Sequence, residues 1–403
     1  MHTSSVVPTL AAVLLFVSPS SGLVTTPRVF LSGRLPPGLP AVSKTPRKTL
    51  NENPSMIITG IPKRKQMKRG WDTSWTENVT KSLVQSPAFE KLKEKARDMM
   101  VKGAEKRGLD WSGIVNSLEG AENWERLRTE IMANSDVKVP DYYLKQFHAY
   151  GEGNLCWQAA FEQEIASVAV GIRSFPKDGL NAENRLRKSF LDQLTRLGAD
   201  VEKGSIMVDF GCGSGSSTRL LADHFKSARR VIGVDLSPYM LAVGKHLNKE
   251  RGLSRRISLL YGDVANTRLP EGSASLVSCT YLLHEMPDDA ATDVIAEAYR
   301  LLKPGGSLAV MDMDPDSPGY QRLRSNPFLF SIVRATEPYL SDWFGRAPSI
   351  EKDLMAAGFT VVRKAAVTGR HFIVVATKPG SVDFRPSASV RAAMDEHLPT
   401  WET

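Results

Sequence analysis

The sequence predicts an α/β fold: a doubly wound, seven-stranded, mostly parallel sheet over residues 201–378, behind an N-terminal helical extension. Two observations carry this expectation. From residue 205 onward, short apolar β-like runs alternate with amphipathic helical segments, the pattern of a parallel sheet covered on both faces. The first run ends in a glycine-rich loop and the next two each end in an aspartate, which marks the carboxyl edge of such a sheet as a ligand site.

The β-like runs fall at 205–210, 230–235, 257–261, 275–280, 307–312, 359–366 and 371–377, with helix-like segments between the first six. Only residues 367–370 separate the last two runs, too few for a parallel crossover, so the final strand must run antiparallel to its neighbour. Upstream, one helix is expected at about 156–172 and another at about 182–198. The second lines up Leu186, Phe190, Leu191, Leu194 and Leu197 on one face, with Gly198 near its end. Residues 76–134 are rich in Glu, Lys, Leu and Met and read as two or three helices. Their apolar positions include Leu83, Val84, Phe89, Leu92, Ala96, Met99 and Met100, which suits a packing extension. Residues 140–157 concentrate Tyr142, Tyr143, Phe147, His148, Tyr150 and Trp157; they form either a core packing element or an aromatic wall over a ligand site.

Composition narrows the function classes. The 403 residues are 42% hydrophobic and 24% charged, ordinary for a globular chain, with a formal charge of +8. Residues 1–70 hold ten Lys/Arg and a single acid, Glu52, and so carry +9; residues 71–403 are left at −1. The folded part has no phosphate-binding footprint, which argues against a nucleic-acid partner. Cys156, Cys212 and Cys279 have neither metal-ligand nor redox spacing, so buried, inert thiols are expected and no metal site.

The apolar run at residues 10–17 falls well short of the ~20 residues that span a bilayer, so no stable membrane span is expected in the mature protein. Its length and the small residues after it fit a cleavable signal over 1–22, although no Lys or Arg precedes it. Residues 23–70 are basic and rich in Pro, Ser and Thr, a transit-like composition. Together these segments resemble the bipartite leaders of algae with complex plastids, so plastid delivery is expected; secretion and mitochondrial import are the alternatives. The triplet Asn78-Val79-Thr80 is a glycosylation sequon of a kind that arises often by chance. The remaining organisation is a helical extension at 71–139, a helical cap on the substrate side at 140–200, the main domain at 201–378 and a tail at 379–403.

The glycine-rich loop reads Asp209-Phe210-Gly211-Cys212-Gly213-Ser214-Gly215-Ser216-Ser217. Glycines at 211, 213 and 215 let the backbone turn sharply and approach a ligand, while Ser216 or Ser217 can cap the next helix. Ser216 stands where a dinucleotide fingerprint wants its third glycine, which disfavours a nicotinamide oxidoreductase. Asp235 ends the second strand and can accept hydrogen bonds from both hydroxyls of a ribose. Ser237 and Pro238 then cap and open a helix. Asp263 ends the third strand, where it can accept from an exocyclic amine of adenine. Any one of these acids alone would read as a cap or a loop charge; three at successive strand ends read as a site.

At this point the sequence resembles the class I S-adenosylmethionine-dependent methyltransferases, specifically their small-molecule type 11 group. The carrying motifs are Val208-Asp209-Phe210-Gly211-Cys212-Gly213-Ser214-Gly215, Gly233-Val234-Asp235-Leu236-Ser237, Gly262-Asp263 and Leu302-Lys303-Pro304-Gly305-Gly306. A further resemblance, to plastid methyltransferases of plants and algae, begins near Pro140 and runs from Tyr142 to Leu155. The resemblance implies a Rossmann-like methyltransferase fold with S-adenosylmethionine as cofactor. It implies cofactor contacts at Asp209, Gly211, Gly213, Gly215, Asp235, Leu236, Asp263, Val264 and Thr280, and a structural Lys-Pro-Gly-Gly turn before the fifth strand.

Methyl transfer from a sulfonium is a one-step displacement and calls for no metal. Alignment can supply about 7–11 kcal/mol, and a base roughly 10²–10⁴-fold more. After the fourth strand, Tyr281-Leu282-Leu283-His284-Glu285-Met286-Pro287 lies beside the expected methyl position. His284 can serve as base with Glu285 orienting it or binding substrate, or the pair can be a histidine hydrogen-bonded to a backbone carbonyl and a glutamate at a helix start. The quinone C-methyltransferases that this core resembles carry Arg-Asn here, a departure that speaks against a quinone acceptor. Candidate substrate contacts are His148, Tyr150, Tyr281 and Asp312; Asp312 and Asp314, at the end of the fifth strand, either bind substrate or cap the loop at Pro315. Residues 318–345, with Tyr320, Phe328, Phe330, Tyr339, Trp343 and Phe344, either roof an apolar pocket or pack as core. The expected acceptor is a small aromatic or isoprenoid molecule; the competing reading is an inactive methyltransferase-like binding protein.

Overall fold

The computed structural model describes residues 87–133, 135–146 and 150–380. The leader expected at 1–70, the sequon at 78–80, Leu83, Val84, Phe147, His148 and the tail from 381 onward lie outside the described residues, as do the side chains of Phe89, Leu92, Ala96 and Phe328.

Seven strands form one sheet: β1 (Ile206–Phe210), β2 (Arg230–Asp235), β3 (Ile257–Tyr261), β4 (Ala274–Thr280), β5 (Leu302–Met313), β6 (Val361–Ala366) and β7 (His371–Thr377). Their spatial order is β3-β2-β1-β4-β5-β7-β6. Neighbours from β3 to β5 are parallel, whereas β7 runs antiparallel to both β5 and β6. The doubly wound expectation therefore holds, and so does the antiparallel final strand. Strand order reverses between β1 and β4, which opens a crevice at their carboxyl ends. The inner strands are buried on both faces, hence their unbroken apolar runs; edge strand β6 is half exposed and carries Arg363 and Lys364.

One boundary differs. β5 begins at Leu302, not at 307, because Leu302 pairs with Ala274 and Ser307 with Leu276. Lys303 to Gly306 form a bulge between those two pairs, with Gly305 at φ +80° and its N–H donated to the Lys378 carbonyl.

The helices of the core alternate with the strands: α6 (Ser216–His224), α7 (Pro238–Glu250), α8 (Asp288–Leu301) and α12 (Ile350–Ala356). Ser237 caps α7 by accepting from the Met240 N–H at 3.2 Å, with Pro238 in its first position. Ahead of the sheet come α1 (Pro87–Glu105), α2 (Trp111–Glu119), α3 (Trp124–Met132), α4 (Trp157–Ser174) and α5 (Ala182–Arg196). The first three are the expected packing extension. Trp124 sets its ring edge-on to Phe161 of α4 at 5.4 Å and to His246 of α7 at 5.4 Å, and Arg97 pairs with Glu162, which is fully buried.

The stretch before β6 folds as α9 (Pro318–Arg324), α10 (Pro327–Thr336) and α11 (Leu340–Arg346). Much of its aromatic content is core. Trp343 is buried, stacks on Phe372 at 5.9 Å and donates to the Met313 carbonyl at 3.0 Å; Phe344 packs on Tyr320 and Phe330. Tyr339 instead meets Tyr142 edge-on at 6.3 Å, so the two aromatic segments do touch.

Candidate active site

The loop after β1 is shaped by three glycines in the left-handed region, Gly211 (φ +64°), Gly213 (φ +53°) and Gly215 (φ +84°). A Cβ on Gly211 would stand 2.7 Å from Leu282, and one on Gly213 would fall onto the Gln163 amide. The loop is thus a bare-backbone cradle overlooked by α4. Gln163 accepts from the Ser214 N–H at 2.5 Å. Asp209 lies beneath the cradle, fully buried, and accepts from Ser217 Oγ at 2.6 Å and Thr218 Oγ1 at 2.7 Å. Burial lifts its carboxyl to about 6 against the pull of those hydroxyls. It fastens the start of α6 under the loop. The expected Ser216 or Ser217 cap is replaced by Gly215 at the N-cap, because Ser217 turns down to Asp209.

Asp235 closes the cradle from β2. Its Oδ2 accepts from the Gly213 N–H and its Oδ1 from the Ser237 N–H, both at 2.8 Å. The Tyr143 hydroxyl donates to Oδ1 at 3.3 Å. Burial raises the Asp235 carboxyl, and these donors oppose the rise. Asp263 is half-buried and accepts from the Ala265 N–H at 2.9 Å, which forms a small turn after β3. Its charge raises the Tyr142 hydroxyl, second to burial. Consecutive tyrosines of the 3-10 turn Asp141–Leu144 thus attend the two acids, Tyr143 by a hydrogen bond to Asp235 and Tyr142 through the charge of Asp263. Leu236 and Val264, the residues after those acids, are buried. Thr280 ends β4, its hydroxyl 3.4 Å from that of Ser278.

Beyond β4 the chain makes a 3-10 turn, Leu283–Glu285. His284 does not pair with Glu285 as expected. Its Nδ1 lies 2.8 Å from Asp312 Oδ1, with His284 5% exposed and Asp312 wholly buried. Burial opposes the imidazolium, but Asp312 outweighs it, aided by Glu285 and Glu337, and the histidine is lifted to about 9. Asp312 also accepts from the Met313 N–H at 2.7 Å, so it is an internal anchor rather than a surface awaiting substrate. Glu285 turns to α4's side and accepts from Asn154 Nδ2 at 3.0 Å. Burial raises its carboxyl to about 7; His284 resists the rise and Asp235 adds to it.

The other expected substrate contacts are drawn elsewhere. Tyr150 donates its hydroxyl to buried Glu162 at 2.8 Å and packs beside Trp124 and Phe161. Tyr281 has φ +56° and sets its ring edge-on to His371 at 5.0 Å. Asp314 accepts from the Asp316 N–H at 3.0 Å. Cys212 and Cys279 are buried, and burial pushes both thiols well up; Cys156 caps α4 through Ala159 N–H. Among the described residues no cluster of His, Cys, Asp and Glu could hold a metal, and no helix is long and apolar enough to cross a membrane. Sequence reasoning missed Tyr143, Asn154 and Gln163 as site residues; all lie upstream of the sheet and reach the cleft only through the fold.

A cradle, two acids and a polar switch-point turn at one sheet edge define a nucleoside-binding α/β core. Residues 207–306 match the family described as a methyltransferase domain. The demethylmenaquinone methyltransferase of Listeria welshimeri is 33% identical over 124 residues, 30% of this chain and 51% of the relative. That of Anoxybacillus flavithermus is 31% identical over 149 residues, 37% and 60% of the two chains. The chain spans about half the length of the first of these curated relatives. Among solved structures, Haemonchus contortus phosphoethanolamine N-methyltransferase 2 in complex with S-adenosyl-L-methionine matches 57% of this chain and 61% of its own, at 17% identity and a TM-score of 0.39. The chain carries a class I, S-adenosylmethionine-dependent methyltransferase domain.

Proposed function

We propose that the protein transfers a methyl group from S-adenosylmethionine to a small aromatic or isoprenoid acceptor. The observation that carries this reading is that Asp235 ties the glycine loop to β2 while the turn Asp141–Leu144 sets Tyr143 on Asp235 and Tyr142 within the field of Asp263. The residues fit the cofactor. Asp235 is a buried carboxylate at the end of β2 held by the Gly213 and Ser237 N–H groups, and in this reading it is the acceptor for a ribose diol. Gly211 and Gly213 present bare backbone beneath the Leu282 and Gln163 side chains, and in this reading an amino-acid tail runs along that backbone while Asp263 takes the adenine amine.

When bound, S-adenosylmethionine supplies an electrophilic methyl group on a positively charged sulfur. Asp235 and the loop hold the nucleoside end; Leu236 and Val264 are the neighbouring apolar side chains. Glu285 is the proton acceptor in this reading, since it sits by Asp235 at the end of β4 and gives up its own proton near neutrality. His284, held charged by Asp312, steadies the Glu285 anion electrostatically. The acceptor in this reading is a flat, apolar molecule. The name of the Listeria relative points to a demethylmenaquinone-like acceptor. His284-Glu285 in place of Arg-Asn points to an acceptor deprotonated in another way.

Calorimetric titration with S-adenosylmethionine, S-adenosylhomocysteine and NAD(P)H tests the cofactor. The first two should bind, and Asp235→Ala, which removes two charge-assisted bonds of about 1.5–3 kcal/mol each, should weaken them at least about 100-fold. Binding of NADH alone would overturn the reading. Binding without turnover across a panel of phenols and quinols would favour the inactive-protein alternative.

A further inference from the structure

The contact between Tyr143 and Asp235 bridges 92 positions of sequence and ends on the atom that a ribose would need. The Gly213 and Ser237 N–H groups each reach one oxygen of Asp235 at 2.8 Å, and the Leu236 backbone adds a third hydrogen bond. A carboxylate has about four acceptor sites, so the capacity left for a vicinal diol is small. The Tyr143 hydroxyl holds part of it. A phenol and a sugar hydroxyl offer a carboxylate the same thing, a neutral O–H donor, so they compete for one lone pair.

The turn that carries Tyr143 is fastened elsewhere. Tyr142 rests edge-on against Tyr339 at 6.3 Å, and the Lys145 ammonium lies 4.6 Å over the same ring. Tyr339 is itself buried and gives the turn a fixed post. Within the turn, the Tyr143 N–H returns to the Pro140 carbonyl at 2.9 Å. Burial and the Asp235 charge push the Tyr143 phenol well above its ordinary value, so it stays protonated and a donor.

We propose that Tyr143 is a built-in stand-in for a ribose hydroxyl, and that the turn Asp141–Leu144 must release Asp235 before the nucleoside seats. This rests on the reading of the cleft as a cofactor site. The stand-in keeps Asp235 satisfied while the cleft waits, and it makes opening of the turn a cost on every binding event. Apparent affinity is then lower than intrinsic affinity by the fraction of molecules with Asp235 released.

The experiment compares the full chain with Tyr143→Phe, which keeps the ring and removes only the competing donor. S-adenosylhomocysteine binding is followed by calorimetry and by stopped-flow tryptophan fluorescence. Removing one such bond should tighten binding about three- to ten-fold. The gain should sit in the association rate, with dissociation unchanged. Tyr299→Phe, a phenol lost on α8 where Tyr299 packs against Phe359, should bind as wild type, and circular dichroism checks that each variant is folded. Weaker binding with faster dissociation would make Tyr143 a ligand of the bound nucleoside and overturn the proposal; unchanged affinity would overturn it too. If the cofactor reading itself fails, wild type binds no S-adenosylhomocysteine or Asp235→Ala binds it equally well, a pattern that neither Tyr143 result mimics.

Discussion

Replacing Asp312 by Asn should unmask how firmly the fold holds a charged histidine. In the native protein His284 Nδ1 and Asp312 Oδ1 are 2.8 Å apart, with side chains 6% and 0% exposed. The His284 pKa of about 9 lies above the ordinary 6.5, and that gap corresponds to about 3 kcal/mol of linkage. Because the folded-state value is the higher one, this stability is fully present below pH 6.5 and is lost as pH rises through 9. The Asp312→Asn substitution preserves size and one acceptor but removes the charge, so burial would then govern the ring and drive it neutral. Urea unfolding of both proteins from pH 6 to pH 10 should show the variant about 3 kcal/mol less stable at pH 6, with the gap narrowing through pH 9. The His284 Cε1 proton, followed by NMR, should titrate near 9 in wild type. A stability gap independent of pH, or a wild-type titration near 6.5, would refute the reasoning.

Two further outcomes follow from the same geometry. Glu285→Gln should lower turnover about 10²–10⁴-fold while S-adenosylhomocysteine affinity stays within a few-fold. As a proton acceptor Glu285 must first lose its own proton, so the wild-type rate should rise with pH through about 7, and the Gln variant should lack that limb. A limb near 9 instead would hand the role to His284. Gly213→Ala and Gly305→Ala impose similar left-handed strain, of order 1 kcal/mol, but only at 213 does the new methyl meet a neighbour, the Gln163 amide. Both should lower the melting temperature modestly, and only the first should weaken cofactor binding in calorimetry. Equal effects on binding would show that the loop is not a cradle.

The sheet was legible in the sequence because its inner strands are buried on both faces and therefore read as continuous apolar runs. The start of β5 was misread because Lys303 to Gly306, with a proline and two glycines, carry turn chemistry while forming a bulge between two paired residues. The acids at 235 and 263 were legible because a strand end is a local feature. The partner of His284 was not. Adjacency in sequence suggested Glu285, but residues 284 and 312 belong to the ends of neighbouring strands β4 and β5, and that pairing exists only once the strand order is known. Tyr150 drew attention as an aromatic near the mouth, yet a buried glutamate, Glu162, already claims its hydroxyl. Tyr143, Asn154 and Gln163 reach the cleft across 92, 131 and 51 positions, and no local pattern announces such contacts.

The place of β7 has a consequence for how the molecule is made. The last of the described strands is not at a margin; it is inserted between β5 and β6 and is almost wholly shielded from solvent. Until it arrives, β5 presents a bare row of amides and carbonyls along one side, and β6 has nothing to dock onto. From the completion of β5 until the hairpin of β6 and β7 folds in, a growing polypeptide therefore carries a sticky open flank. Any shortening that removes residues 371–377 should turn a well-behaved protein into one that self-associates, even though every group lining the cofactor cleft would still be encoded.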